Sequence, residues 1–468
     1  MKLADPDNPV RYTWLAEQGF RLDPGPYVSD AYRMYKLLEA LPRTSTLAQV
    51  SERIFRPGIF RRHWTTDRAH GVRFLGSASI FQSDLSTLPM ITRRSFDETP
   101  DLPLKPGWTL ITCSGMTAGR VTYARPDMDG CACSQDVIRV VPDQAKIPGG
   151  YLYALLASRY GRPIIRGRVY GTSIKHLEPE HLANIPVPRV GPAIEDKIDA
   201  LIGRAAELRA RFQAGVVAAT WDVFTSAGLP ELADLAWHDQ PRDLGFAVPG
   251  VDARTLRALN FSPRARRILD ALRSVPHRTL GDICAGGILR TGARFKRIDA
   301  DPVHGVRLVG QRQAFWMRPE GRWINPHHAP PDILQSDETI LIAAHGTLGE
   351  NEVYGRSILV TGGWLRHAFS QDFVRVRTGT PEFTGAYLFG FLRSEAAFRV
   401  LRSMSVGGKQ QEYHPGLLRD LPVPLCTAGD RERIAGTVRR AYRDRDDADA
   451  AEDEALALLD AAVREAAG

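Results

Sequence analysis

A long internal repeat constrains what this chain can fold into more than any other feature of its sequence. Three strings recur in the same order, at offsets of 234 residues for the first pair and 236 for the other two. They are HGVRFLG at 70–76 and HGVRLVG at 304–310, SQDVIRV at 134–140 and SQDFVRV at 370–376, and Pro-Val-Pro at 186–188 and 422–424. The 468 residues therefore comprise two copies of one unit.

Each copy predicts the same succession of elements. A short helix, at 29–41 or 262–274, is followed by a mostly β region with the apolar runs TLITCS (109–114) and TILIAA (339–344). A helix beginning Tyr-Leu (YLYALLAS or YLFGFLRS) and a glycine-centred loop come next. Because two prolines flank one residue in Pro-Val-Pro, this tripeptide cannot continue a helix or a central strand, and it marks the exit from the module.

A long helix is predicted beyond each exit. In the first copy an apolar stripe narrow enough for a coiled-coil seam is formed by Ile194, Ile198, Leu201, Ile202, Ala205, Leu208 and Phe212. A second stripe begins at Ile434 and resumes near Leu456, but the intervening RDRDDADAAEDE at 443–454 is strongly polar. We therefore expect the two helices to pack antiparallel with a weak or solvated centre. The fold class is α+β: two tandem, pseudo-symmetric α/β domains separated by long antiparallel coiled-coil helices.

The basic charge is confined to two blocks of similar length. Residues 47–190 hold 19 Lys and Arg against 12 Asp and Glu, and residues 280–426 hold 17 against 14. The remainder of the chain holds 25 against 28. A basic excess restricted to the two repeated modules favours two surfaces that face a polyanion, although a charge of this size is also compatible with simple solvation.

Composition excludes several other classes of protein. With 43% hydrophobic and 25% charged residues, the chain has the make-up of a folded domain rather than a disordered one. No apolar run approaches the length of a membrane span, and the first residues lack the apolar core of a signal peptide, so we expect a cytoplasmic location and no membrane partner. Five cysteines, only two of them close together, predict neither a disulfide framework nor a structural zinc site.

Two β-rich modules, each with a glycine loop and a proline-rich exit into a long helix, resemble the specificity subunit of type I restriction-modification enzymes. The matching features in each copy are a strand with a glycine turn (LITCSGMTAGR at 110–120, LIAAHGTLGEN at 341–351), the Tyr-Leu helix, the glycine loop (GTSIKHL at 171–177, GGKQQEY at 407–413), and the exits LANIPVPRV and LRDLPVPLC. Their fixed order, occurring twice over nearly the whole chain, carries the resemblance. The acidic middle of the last helix and the long segment before the first module depart from it.

The resemblance implies that the modules and the long helices have different functions. Each module would be a target-recognition domain that reads a few base pairs of double-stranded DNA, and the helices would dock DNA methyltransferase subunits. Adenine methylation by S-adenosylmethionine would then occur on that partner, and this chain would carry no cofactor or metal. The resemblance also allows a restriction or translocase subunit as a further partner. The corresponding segments are an N-terminal helical segment at 1–46, target-recognition domains at 47–190 and 280–426, spacer helices at 191–226 and 427–468, and a linker with a helical segment at 227–279.

Candidate DNA-binding residues are loop side chains that donate to phosphates or base edges. In the first module they are Arg56, Arg61, Arg62, His63, Arg93, Arg94, Arg120, Thr172, Ser173 and Lys175. In the second they are Arg290, Arg294, Lys296, Arg297, Lys409, Gln410 and Gln411. Any one of them could instead be a solvated surface residue. The segments 77–107 and 311–337 have no visible match to one another, which predicts two different half-targets and hence an asymmetric, bipartite site.

The sequence contains no recognisable set of catalytic residues. There is no Gly-x-Gly-x-x-Gly after a strand, no Asn/Asp-Pro-Pro-Tyr/Phe motif and no phosphate-binding P-loop. His327-His328 could ligate a metal but has no nearby carboxylate or cysteine partner. We expect a non-catalytic specificity subunit. Two alternatives stay open: a duplicated scaffold of a defence complex that reads no sequence, and a nuclease with an unrecognised site.

Overall fold

The computed structural model describes residues 10–17, 20–22, 25–28, 30–171, 175–248, 250 and 255–468. These residues form two compact units, which divide the chain inside its two long helices. Unit 1 consists of Met1–Ala210 and Asp447–Gly468, and unit 2 consists of Arg211–Asp446. Each unit therefore contains one copy of the sequence repeat together with part of both long helices.

Unit 1 contains strands in two sheets and one additional strand pair. The strands are β1 (Thr44–Thr46), β2 (Ser51–Phe55), β3 (Trp64–Thr65), β4 (Gly71–Leu75), β5 (Met90–Thr92), β6 (Thr109–Thr112), β7 (Val121–Tyr123), β8 (Ala132–Cys133), β9 (Val137–Pro142) and β10 (Pro186–Pro188). The helices are α1 (Tyr12–Glu17), α2 (Gly25–Val28), α3 (Ala31–Glu39), α4 (Leu47–Val50), α5 (Arg93–Asp97), α6 (Gly149–Ala157), α7 (Gly161–Gly167), α8 (Pro179–Leu182) and α9 (Pro192–Ser226), the last of which continues into unit 2.

Unit 2 has most of these elements in the same order. Its strands are β11 (His277–Thr279), β12 (Ile288–Thr291), β13 (Val306–Val309), β14 (Gly321–Ile324), β15 (Thr339–Ala343), β16 (Ser357–Val360), β17 (Ala368–Phe369), β18 (Phe373–Arg377), β19 (Ser405–Val406), β20 (Glu412–Tyr413) and β21 (Pro422–Pro424). Its helices are α10 (Pro230–Ala233), α11 (Pro263–Arg273), α12 (Leu280–Ile283), α13 (Gly385–Leu392), α14 (Glu395–Ser403), α15 (Pro415–Arg419) and α16 (Ala428–Ala467), which ends in unit 1.

The two units share the strand order of the main sheet and the pairing of three strands in the second sheet, while among the described residues strand β3 occurs only in unit 1 and strands β19 and β20 only in unit 2. The main sheet has the antiparallel order β2-β9-β6-β7 in unit 1 and β12-β18-β15-β16 in unit 2. In the second sheet, β4 pairs with β5 antiparallel and with β8 parallel, as β13 does with β14 and β17. The predicted α+β class and the internal symmetry of the fold are confirmed. The unmatched segments 77–107 and 311–337 contain the equivalent strands β5 and β14.

Apolar sequence accounts for the core of each module. The predicted strands β6 and β15 are buried along their whole length, as are all residues of helices α6 and α13. A helix that is apolar on every side must be enclosed, and both helices belong to the main hydrophobic cluster of their unit.

Each Pro-Val-Pro forms one strand of a two-stranded antiparallel sheet. Strand β10 pairs with β1, and β21 pairs with β11. Proline is tolerated in such strands because each has a free edge. The long helices α9 and α16 follow shortly afterwards, as the sequence predicts.

The long helices run antiparallel within each unit. In unit 1, Lys197 lies 3.9 Å from Glu454 and Arg209 lies 2.9 Å from Asp449. In unit 2, Arg211 and Arg433 likewise pair with acids on the other helix, Asp444 at 2.9 Å and Asp222 at 2.8 Å. Residues of increasing number on α9 thus contact residues of decreasing number on α16, so the antiparallel prediction is confirmed.

The predicted weak or solvated centre of this pairing is wrong. In unit 1, Ala448 and Ala451 pack against Ala205 and Leu208 in a small hydrophobic cluster. Alanine on one helix allows a close approach of the other, so the alternating Ala and Asp of this stretch form a seam rather than a solvated gap. In unit 2, the adjoining Arg445 is also buried.

A buried ionic cluster accompanies this seam. Arg209 donates to Asp449 Oδ1 at 2.9 Å and to Glu452 Oε2, and Tyr153 donates to Glu452 Oε1 at 2.6 Å. Glu452 is only 2% exposed. Asp449 and Glu452 of the polar run thus pair with a cation that lies far away in sequence.

Among the described residues, no helix combines the length and the apolar character that crossing a bilayer requires.

Candidate nucleic-acid interface

The repeated string Ser-Gln-Asp forms a tight turn between β8 and β9 in unit 1. Ser134 Oγ donates to Asp136 Oδ2 at 2.8 Å, and the backbone N–H of Asp136 donates to Ser134 Oγ at 3.1 Å. The other carboxylate oxygen, Oδ1, accepts from Ser114 Oγ at 2.9 Å. We name residues 134–136 and 370–372 the SQD turns.

The SQD turn of unit 2 has the same internal bonds. Ser370 Oγ donates to Asp372 Oδ2 at 2.9 Å, and the Asp372 N–H donates to Ser370 Oγ at 3.4 Å. In the place of Ser114, His345 lies with its Nδ1 3.6 Å from Asp372 Oδ1 and its Nε2 3.3 Å from Glu412 Oε1.

A buried arginine donates hydrogen bonds to the backbone on both sides of each SQD turn. Arg139, which is 0% exposed, donates to the carbonyl oxygens of Cys133 at 2.6 Å, Ser134 at 2.9 Å and Val137 at 2.5 Å. Its counterpart Arg375 is 1% exposed. Burial lowers the pKa of both guanidinium groups from the ordinary value.

The bonds of Arg375 follow the same pattern. It donates to the carbonyl oxygens of Phe369 at 3.3 Å, Phe373 at 3.4 Å and Asp332 at 3.1 Å. A cation enclosed by backbone carbonyls fixes the chain on both sides of the turn. The side chains at the tip of each turn are therefore presented on a rigid support.

One arginine from each predicted cluster is docked on the glutamine of its SQD turn. Arg62 Nη2 donates to Gln135 Oε1 at 2.8 Å and to Ser134 Oγ at 3.2 Å. Arg297 Nη2 donates to Gln371 Oε1 at 3.0 Å. The structure thus brings two predicted residues, one per module, to equivalent positions.

The glycine loop of unit 1 packs beside the same SQD turn. The N–H of Gly115, just after β6, donates to the carbonyl oxygen of Lys175 at 3.1 Å, and the N–H of Leu177 donates to Cys113 O at 2.9 Å. Cys113 N–H in turn donates to Asp136 O at 2.9 Å. Gly171 begins the loop with a φ of 92°, which favours glycine.

The glycine loop of unit 2 repeats this arrangement. Gln411 N–H donates to Gly346 O at 2.8 Å, and Ala344 N–H donates to Asp372 O at 2.9 Å. Gly407 has a φ of 96°. In both units the SQD turn, the glycine turn after the central strand and the glycine loop meet at one end of the main sheet.

The other predicted residues of unit 1 have varied environments. Arg56 is committed to Glu178, with donor–acceptor distances of 2.9 and 3.1 Å, and Arg94 pairs with Glu98 at 2.8 Å. Arg120 is half-buried beside the glycine turn. The side chains exposed to solvent are those of Arg61, His63, Arg93, Arg94 and Lys175. Thr172 and Ser173 lie outside the described residues.

In unit 2, Arg290 pairs with Asp332 at 3.0 Å, while Arg294, Lys296, Lys409 and Gln410 are exposed. Gln411 is different, because it is only 4% exposed and its Nε2 donates to the carbonyl oxygen of Gly408. A base-reading role for Gln411 is inconsistent with this position. We assign it to holding the glycine loop, which leaves Lys409 and Gln410 as the presented side chains.

Sequence reasoning missed Gln135 and Gln371 as site residues. The signal was present, since both belong to a string that recurs unchanged at the first three positions. That string served only to establish the repeat. What it could not show is that an arginine more than 70 residues earlier docks on each glutamine.

The chemistry of this end of each module is donation of N–H groups. Guanidinium, ammonium and amide donors suit phosphate oxygens and base edges. Within the described ranges, no group of three His, Cys, Asp or Glu side chains is arranged to hold a metal ion. Cys113, beside the SQD turn of unit 1, is buried, and this burial raises the pKa of its thiol to about 12.

Comparison with known proteins gives matches among solved structures. No protein-family model and no curated protein sequence matches the chain. The chain is similar to the type I restriction-modification system S subunit from M. genitalium, at 13% identity and a TM-score of 0.38, over 91% of this chain and 96% of that one. It is similar also to the HsdS subunit from Thermoanaerobacter tengcongensis, at 14% identity and a TM-score of 0.27, over 91% and 97%.

Proposed function

We propose that this chain is a DNA-binding specificity protein whose two modules each contact a separate segment of double-stranded DNA. One observation carries the proposal. Two units of the same topology each gather an SQD turn, a docked arginine and a glycine loop with exposed cationic or amide side chains at the same end of the main sheet.

Electrostatics supports a polyanionic ligand. The basic excess of the sequence lies in the two modules, and several of their arginine and lysine side chains are exposed near the SQD turns. Lysine and arginine that neutralise DNA phosphates release counterions, which makes the affinity strongly dependent on salt. Glutamine and lysine presented on a loop supply N–H donors for hydrogen bonds to the acceptor atoms of base edges.

The presented loops differ between the modules, which supports a bipartite and asymmetric target. Unit 1 offers Lys175 from its glycine loop, whereas unit 2 offers Lys409 and Gln410. The position equivalent to Lys175 is held in unit 2 by Gln411, whose side chain is buried. Two modules with a common support and different presented side chains would select different half-sites.

The proposed assembly follows the resemblance noted in the sequence. The chain would act in the cytoplasm without catalysing a reaction, and would recruit DNA methyltransferase subunits that bind S-adenosylmethionine. A restriction or translocase subunit would be a further partner. The long helices offer a docking surface, and on α9 the side chains of Val217 and Trp221 are exposed, at 39% and 50%.

A DNA selection experiment tests the reading function. The purified full chain would be incubated with random duplex DNA at several salt concentrations, and the bound molecules sequenced. We expect two unlike conserved blocks separated by an unconserved spacer, and a logarithm of affinity that falls linearly with the logarithm of salt. Enrichment of no sequence would refute base reading and favour the scaffold alternative, and metal-dependent cleavage by the chain alone would favour the nuclease.

A second experiment tests the partners. The full chain would be co-purified with the products of its neighbouring genes, and methylated bases would be mapped across the genome with and without the chain. We expect a methyltransferase to co-purify and one bipartite adenine-methylated motif to disappear when the chain is deleted. An unchanged methylation pattern would contradict the proposed recruitment.

A further inference from the structure

We infer that Arg62 and Arg297 are matched contacts to the phosphodiester backbone of DNA, one in each half-site, and that they do not read bases. The inference rests on the proposed function and deepens it. It divides the interface into a part common to both modules, which sets the position of the DNA, and a part peculiar to each, which reads sequence.

The two arginines occupy equivalent positions in the two modules. They lie 235 residues apart and dock on glutamines 236 residues apart, on SQD turns with the same internal bonds. If the two modules read different half-sites, side chains that discriminate bases must differ between them. A contact kept the same in both modules is suited to the part of DNA that is the same everywhere, its backbone.

The hydrogen bonds between each arginine and its glutamine limit what the glutamine can read. A glutamine that reads adenine must turn both its amide donor and its amide acceptor to the base, but Oε1 of Gln135 and of Gln371 already accepts from the docked arginine, which occupies one of its two lone pairs and constrains the orientation of the amide. Each pair therefore keeps many more N–H donors than acceptors for a ligand. Phosphate oxygens only accept, so the remaining N–H groups of each arginine match them.

The arginines keep donors for such a ligand. Each uses Nη2 for the turn, and among the described residues neither the Nε nor the Nη1 of Arg62 or Arg297 makes a hydrogen bond. Arg62 is further held with its guanidinium carbon 5.2 Å from the ring centre of Phe74 and 5.8 Å from that of Phe60. A guanidinium fixed in this way loses little side-chain entropy when it binds.

The two sites differ in local charge. Asp136 lies 3.6 Å from Arg62 and offsets part of its charge. Arg297 has no carboxylate within 4.0 Å in the part of the chain that the structure describes, although Asp372 belongs to its SQD turn. The phosphate contact of Arg297 should therefore be the stronger of the two.

The test uses the full chain with Arg62→Ala, Arg297→Ala and the charge-keeping Arg62→Lys and Arg297→Lys. Arg266→Ala is the control, because Arg266 is exposed on α11 and pairs with Asp270 on the same helix at 3.1 Å. Each variant would be passed through the DNA selection, its affinity for the selected DNA measured against salt, and its folding checked by thermal unfolding.

Each alanine variant should weaken binding to all sequences by roughly five- to tenfold, with the larger loss for Arg297, and should reduce the salt slope by about one. The selected sequence should be unchanged, and each lysine variant should keep the salt slope. Loss of preference at a base position would overturn the inference, as would an alanine variant that folds and binds like the control. A wild-type chain without sequence preference would instead refute the proposed function, so the two failures are distinguishable.

Discussion

The hydroxyl of Tyr151 donates a hydrogen bond of 2.5 Å to the carbonyl oxygen of Pro188. The bond ties the buried helix α6 to the Pro-Val-Pro strand that precedes the long helix α9. The same bond recurs in unit 2, where Tyr387 donates to Pro424 at 2.8 Å. In each module one buried hydroxyl thus joins the core to the exit of the chain.

Tyr151→Phe and Tyr387→Phe should each destabilise their unit. Both tyrosines are fully buried, so the substitution leaves a buried carbonyl oxygen without this donor and costs about 1 to 2 kcal/mol of unfolding free energy. Chemical denaturation followed by circular dichroism would measure the change. Tyr170→Phe is the matched control, because Tyr170 is 39% exposed. Equal losses in all three variants would contradict a special role for the two buried bonds.

Arg209→Ala should be far more damaging than the loss of an ordinary surface charge. The side chain is buried and bonds to Asp449 and Glu452, so its removal leaves acids inside the helix seam and costs about 3 to 5 kcal/mol. Lys197→Ala on the same helix removes an exposed, 3.9 Å pair with Glu454 and should cost less than about 1 kcal/mol. If denaturation gave similar values for the two variants, the cluster would be solvated after all.

His367 should make the stability of unit 2 sensitive to mild acid. Burial, reinforced by the nearby charges of Arg307, Arg366 and Arg445, lowers its pKa from 6.5 to about 4. The unfolded chain therefore binds a proton at higher pH than the folded chain does. Stability is complete above about pH 6.5 and is lost as pH falls towards 4, by up to about 3 kcal/mol.

His367→Gln should flatten this pH dependence between 6.5 and 4. Thermal unfolding of the wild type and the variant across that range would show it. His328, which is exposed, provides the control, and His328→Gln should keep the wild-type profile. A His367→Gln profile as steep as that of the wild type would exclude this histidine as the source.

The five cysteine thiols should be inert in the folded protein. All five are buried, and burial raises the pKa of Cys113 and of Cys284 to about 12. Because the thiolate is the reactive form, a disulfide reagent at pH 8 should modify the thiols only slowly. In denaturant, five should react at once. Rapid modification of one thiol under native conditions would show that its surroundings open.

The scaffold could be predicted from sequence because it depends on local patterns that occur twice. Apolar runs predicted the central strands, and the stripe from Ile194 to Phe212 predicted the long helix. Tertiary pairing was beyond such reasoning. The polar run around Glu452 is typical of a solvated surface, and only the tertiary structure shows that Arg209 pairs with this carboxylate and that Tyr153 donates a hydrogen bond to it. Likewise, nothing local distinguishes the buried Gln411 from the exposed Gln410 beside it.

The proposed function requires each module to read its own half-site from its own glycine loop. The most direct measurement is the DNA selection repeated with Lys409→Ala/Gln410→Ala in unit 2 and with Lys175→Ala in unit 1. We expect the double variant to lose sequence preference in one half-site and to keep it in the other, and Lys175→Ala to do the reverse. Preference lost in both half-sites together, or in neither, would contradict it.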